Sequence, residues 1–147
     1  MTTTTPSDRT PAAGQSRHPL PTLATAELAA YTGVFPGRAD QVGRARRQVA
    51  RYLASCPAAD DALIVLTELA TNAILHSRSG HDFFTVRAEL TGHHARLVVE
   101  DAGGTWQQPG PAGTDGGRGL QIVAAIAEAW GVDGDDRGRA VWARLTW

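Results

Sequence analysis

The order of elements predicts an α+β fold, a two-layer sandwich with helices on one face of a sheet. Two observations carry this. Segments of period-2 alternation stand next to one another near Asp82–Leu90 and His93–Asp101, with only a short turn between them. Two helical patterns likewise follow one another, so strands and helices do not alternate strictly as a doubly wound sheet requires. The predicted order is strand, helix, helix, strand, strand, helix, strand.

Residues 1–23 are rich in Thr, Pro, Ser and Ala and show no apolar period, the composition of a disordered tail. The folded domain is expected over 24–147. A first strand is predicted within Leu28–Phe35, closed by FPG. Asp40–Ala54 places Val42, Ala45, Val49, Tyr52 and Leu53 at helical spacing, with Arg44, Arg47 and Arg51 on the solvated side. SCPAADD breaks the chain. Asp60 and Asp61 then suit the positive end of a second helix, which SRSGHD stops.

That second helix holds the first chemical question. LTELATNAILHS is apolar on nearly every side, yet Glu68, Asn72 and His76 lie four residues apart and form a polar line. A buried amide without a partner costs roughly 2–7 kcal/mol, so these groups require internal hydrogen bonds or a ligand.

Downstream, Phe84, Val86, Ala88 and Leu90 share one face of a strand. TGHH makes a hairpin connection, and Ala95, Leu97 and Val99 share one face of the next strand. A glycine-rich loop spans Ala102–Gly116. Gly117–Trp130 is predicted helical, with Leu120, Val123, Ala127 and Trp130 on one face. Arg139–Trp147 closes the chain as a strand with Val141, Ala143, Leu145 and Trp147 in phase.

Composition narrows the function. With 147 residues the chain is long enough for one domain with a real core, and its net charge of −1 and pI near 6.5 give no basic footprint for nucleic acid. No apolar run approaches the ~20 residues that cross a bilayer, and the polar start MTTTTPSDRT is no secretory signal. Cys56 is the sole cysteine, which excludes an intrachain disulfide and fits a cytoplasmic protein with an inert packed thiol. All 14 basic residues are arginine. The lack of lysine excludes a P-loop, a eukaryotic-type protein kinase and Schiff-base chemistry.

Three stretches suggest a ligand. Asp101 continues the inward row of Ala95, Leu97 and Val99 and precedes Gly103 and Gly104. A carboxylate there suits an exocyclic amino group such as that of adenine, or it is a turn aspartate before glycines. GGRGLQIV opens a helix, where free backbone N–H groups and Arg118 suit phosphate; a tight loop before an ordinary helix is the alternative. Asn72 offers an amide oxygen suited to magnesium carried by phosphates. Glu68 can accept a proton from an attacking hydroxyl, and His76 reads as a structural hydrogen-bonder.

These stretches carry a resemblance. ELATNAILH resembles the N box of the GHKL ATPases, VVEDAGG their first glycine box and GGRGLQIV their second. FPGRADQVGRARRQV, GRGLQIVAAIAEAWGV and GRAVWARL resemble the small ATP-binding proteins of actinobacteria that are similar to anti-sigma factor serine kinases. The likeness runs from about Phe35 to Trp147. It implies the Bergerat-type fold, with a mixed, mostly antiparallel sheet. It implies ATP and Mg2+ as cofactors, adenine held by Asp101 near Gly103, magnesium by Asn72, and Glu68 as catalytic base. Phosphates would lie at Gly117, Arg118, Gly119 and Leu120. It further implies transfer of the ATP γ-phosphate to a STAS-type antagonist protein, whose unphosphorylated form frees a sigma factor, and pairing of two copies. Thr105 stands where the family often has a glycine, and Ala140 where a threonine commonly supports the adenine site.

Three other functions compete. One is a non-catalytic ATP-dependent binding module. A detached ATP-binding half of a sensor histidine kinase is disfavoured by the absence of a membrane segment and a phospho-acceptor helix. A purely structural domain leaves Glu68 and Asn72 without a purpose.

Overall fold

The computed structural model describes residues 30–76, 82–104 and 118–147. The elements run β1 (Tyr31–Pro36), α1 (Ala39–Tyr52), α2 (Ala59–Leu75), β2 (Phe83–Thr91), β3 (His94–Asp101), α3 (Arg118–Ile126), β4 (Ala129–Asp135) and β5 (Gly138–Thr146). The strands form one sheet in the order β1-β2-β3-β5-β4. Each of the four pairings is antiparallel, so among the described residues the sheet is not mixed.

The α+β sandwich follows from two apolar surfaces that must meet. On the sheet, Phe35, Phe84, Val86, Ala88, Ala95, Leu97, Val99, Val141, Ala143 and Leu145 all face one way and are buried. On the helices, Ala45 and Val49 of α1, six residues of α2 and Leu120 and Val123 of α3 meet them in one core. Phe35 stacks on its cross-strand partner Phe84 at 5.5 Å. Cys56 is free and buried in this core, as its packing role required.

The helix α1 takes its predicted place, with Asp40 in the first turn and Arg44, Arg47 and Arg51 exposed. Two tyrosines tie it to the sheet: the Tyr31 hydroxyl donates to Gln48 Oε1 at 2.7 Å, and the Leu90 N–H donates to the Tyr52 hydroxyl at 3.1 Å. The TGHH connection is the β2–β3 turn, where Gly92 adopts φ 38°.

The first strand, Tyr31–Pro36, falls within the predicted segment apart from its last residue, and residues 1–29, including the tail, lie outside the described part. Two expectations are corrected. The predicted helix Gly117–Trp130 ends at Ile126, and Ala129–Asp135 is an unforeseen edge strand. Its sequence AWGVDGD has glycines and aspartates, poor strand formers with no alternating pattern. It is extended because β5 offers it a ladder. Gly131 lets it lie against Trp142, whose ring a Cβ would meet at 2.9 Å. Finally, α2 is less enclosed than its composition implied: Ile64 is 39% and Leu75 69% exposed, and Glu68 and Asn72 are half-buried.

Candidate functional site

The central helix α2 is covered on one side by α1 and on the other by α3, and its polar line emerges in the cleft toward α3. A cavity of about 180 Å³ is lined there by Glu68, Thr71, Asn72, Leu75, His76, Arg118, Gly119 and Leu120. Two motifs some fifty residues apart in sequence, the polar line and the start of the glycine-entered helix, are thus brought face to face.

Gly119 explains how they fit. A Cβ there would meet Glu68 Oε2 at 2.7 Å, so the missing side chain is what lets the carboxylate lie against the first turn of α3. Asn72 contributes a half-buried amide whose Nδ2 has no hydrogen-bond partner among the described residues. An orphan donor beside Arg118 and the positive end of a helix is the polarity an anion needs. Leu120 is only 5% exposed, so its side chain belongs to the core and only its edge borders the cavity. His76 caps α2 with its N–H donating to the Asn72 carbonyl at 2.9 Å, and the residue itself is exposed. Gly117 and the loop 105–117 lie outside the described residues. Among the described residues, no group of three or more His, Cys, Asp or Glu is arranged to hold a metal ion unaided.

Asp101 behaves differently from its expectation. It ends the inward row of β3 as predicted, but its side chain is 0% exposed and does not line the Glu68 cavity; the residue instead borders a cavity of about 360 Å³ beside Gly138, Arg139 and Ala140. One carboxylate oxygen, Oδ1, accepts the Gly103 N–H at 2.8 Å, the turn geometry that competed with the ligand reading. The other, Oδ2, accepts Arg139 Nη2 at 3.2 Å, and the same Nη2 donates to the His76 carbonyl at 3.2 Å. Burial pushes the Asp101 carboxyl above its ordinary range, while the Gly103 N–H and the Arg139 guanidinium pull against it.

Gly103 packs against the chain's own backbone. Its φ of 75° needs glycine, but a Cβ would meet the Asp136 carbonyl oxygen at 2.5 Å. The close approach is therefore made to the chain's own β4–β5 turn. The Gly104 N–H donates to the same carbonyl at 3.0 Å.

Arg139 was not foreseen. The available signal was its phase: it begins the inward row Val141, Ala143, Leu145 as Asp101 ends the inward row of β3, and the two are direct cross-strand partners. Opposite charges at matched ends of two core-facing rows mark a buried pair. Thr71, on the cavity wall between Glu68 and Asn72, was also missed; as a small polar residue on a helix it gave no signal.

The α+β sandwich, with its five-stranded antiparallel sheet and three described helices, has a GHKL-type fold. The family model of the histidine kinase-like ATPase domain matches residues 35–145, and the chain belongs to that family. Among solved structures it is similar to that of the RsbU and RsbW domains of Rv1364c from Mycobacterium tuberculosis. The TM-score is 0.63 at 17% identity, over 80% of this chain and 32% of that one. The chain thus spans about a third of that structure, and the likeness is one of fold. No curated protein sequence matches.

Proposed function

We propose that the protein is an ATP-binding regulatory kinase of the anti-sigma factor type, transferring the γ-phosphate of ATP to a serine or threonine of a STAS-type antagonist protein and so controlling a sigma factor. The observation that carries the reading is the cavity in which Glu68 and Asn72 of α2 face Arg118 and Gly119 of α3. Phosphoryl transfer demands mainly positioning and charge neutralisation, and this cavity supplies each part. The orphan Asn72 Nδ2 and Arg118 suit phosphate oxygens. The Asn72 amide oxygen suits magnesium, which would arrive on the phosphates and neutralise charge as it develops. Glu68, which lies against Gly119, suits the role of acceptor for the proton of an attacking hydroxyl.

Incubation of the protein with labelled ATP and candidate antagonist proteins tests this directly. Label should pass to a serine or threonine of the antagonist, and Glu68→Ala should keep nucleotide while losing transfer by roughly 10²–10⁴-fold, the usual worth of a general base. Transfer undiminished in that variant removes Glu68 from the role.

A second reading is a binding module in which nucleotide alters partner affinity without phosphotransfer. Intact ATP binding together with persistent absence of transfer selects it. Pairing of two copies belongs to the same proposal. The sheet face opposite the described helices, with Phe83 56% exposed and Arg96 lying 5.4 Å from the Trp142 ring, is the surface for it, and sedimentation with and without nucleotide is the check. No helix among the described residues is long and apolar enough to cross a membrane, and a cytoplasmic site of action is part of the proposal.

A further inference from the structure

The ATP reading brings the adenine amino group to Asp101, and the side chain that now occupies that carboxylate is Arg139. Asp101 and Arg139 are 0% and 3% exposed, with Nη2 at 3.2 Å from both Asp101 Oδ2 and the His76 carbonyl. Arg139 also lines two further cavities, one of about 340 Å³ shared with Gly104, Val132, Asp135 and Asp136, and one of about 360 Å³ that Asp101 borders as well. It therefore stands between those cavities and the end of α2 whose side chains line the phosphate-side cavity.

We infer that Arg139 is a displaceable plug of the nucleobase subsite, so that adenine reaches Asp101 only when the guanidinium swings out. The inference rests on the ATP reading and specifies how that site is gated.

The chemistry is a competition between two donors. A guanidinium has no acceptor, and an adenine amino group also approaches a carboxylate as a donor. With the Asp101 side chain fully enclosed, the two cannot use Oδ2 together. The guanidinium brings a full positive charge to the carboxylate where the amino group brings only a dipole, so the base is at a disadvantage unless the guanidinium finds another anion. Asp135 and Asp136 of the β4–β5 turn line the neighbouring wall, with Asp135 Oδ1 already accepting the Arg137 N–H at 2.8 Å. The cost of displacement appears as reduced affinity. If one molecule in about ten has its plug out, the apparent dissociation constant is about tenfold weaker than the intrinsic one. Nucleotide then binds chiefly through its triphosphate, and the base adds little.

Calorimetric titration of the full chain with MgATP and, separately, with magnesium tripolyphosphate tests this in the wild type, Arg139→Gln and Arg139→Leu. In the wild type the two ligands should bind with similar affinity. In the variants MgATP should tighten by about tenfold or more while tripolyphosphate is unchanged. A folded variant whose MgATP affinity is unchanged or weaker overturns the plug and leaves Arg139 as a fixed brace, with the ATP reading intact. Failure of wild type and variants to bind either ligand overturns the ATP reading itself. Should neither variant fold, the wild type still decides. The Arg139 Nε–H, followed by NMR hydrogen exchange, should be protected in the free protein and lose protection with MgATP but not with tripolyphosphate; protection retained with MgATP bound overturns the inference.

Discussion

Asp101 and Arg139 face each other at the ends of two core-facing rows, where neither charge can be solvated. Taking one partner from a buried pair typically costs ~3–5 kcal/mol, because the other charge stays behind. Arg139→Gln should therefore be destabilised, and the deficit should depend on pH. Burial raises the Asp101 carboxyl above its ordinary value in the folded state, with Arg139 opposing the rise. A group raised on folding contributes stability that is complete below its unfolded value, ~3.9 for aspartate, and lost as pH climbs through the folded value. Without Arg139 the carboxyl rises further. The variant should thus lie closest to wild type near pH 4 and fall furthest behind at pH 7, as read by urea unfolding at the two pH values. At Gly119 the expected effect is functional. The Cβ of Gly119→Ala would meet the far end of the flexible Glu68 side chain. The fold should survive while the carboxylate is pushed off its position, and phosphotransfer should fall well before the melting temperature does.

Among the elements, the β4–β5 hairpin was the hardest to foresee and is the one on which the site leans. Its turn is held by Gly103 and Gly104 packing on the Asp136 carbonyl, and Gly134 passes close to the Gly138 carbonyl oxygen at φ 104°. Gly134→Ala combines a strained backbone, about 1–3 kcal/mol, with a clash against main chain that cannot give way. A lower melting temperature is expected, read by thermal unfolding of the variant beside wild type. The helices behave otherwise. The α2 pattern needed no neighbour to be recognised, and its polar line at four-residue spacing was itself the pointer to the cavity.

At the scale of the molecule, one core joins all three described helices to the sheet, and α2 is its axis. Leu69, 0% exposed, lies one residue from Glu68 on that axis. Leu69→Ala should cost ~2–5 kcal/mol, shown by a leftward shift of the urea transition. Nucleotide binding well below that transition should persist, since the cavity wall is built by Glu68, Asn72 and Arg118 instead.

The sequence by itself determined the layers and most of their contents. Periods of 2 and 3.6 in the apolar residues are local properties, and burial must follow them. The inward rows through Val86, Leu97 and Val141, the exposed arginines of α1 and the acid–amide line of α2 were therefore all legible. Tertiary structure decided what no local pattern encodes. The edge strand Ala129–Asp135 exists because β5 offers its ladder, a partner that is separate from any propensity of its own residues. Asp101 is sealed because register sets it across from Arg139, and register is a relation between strands. The partner of a buried charge is chosen in space, and a single chain read in order shows only that a partner is needed.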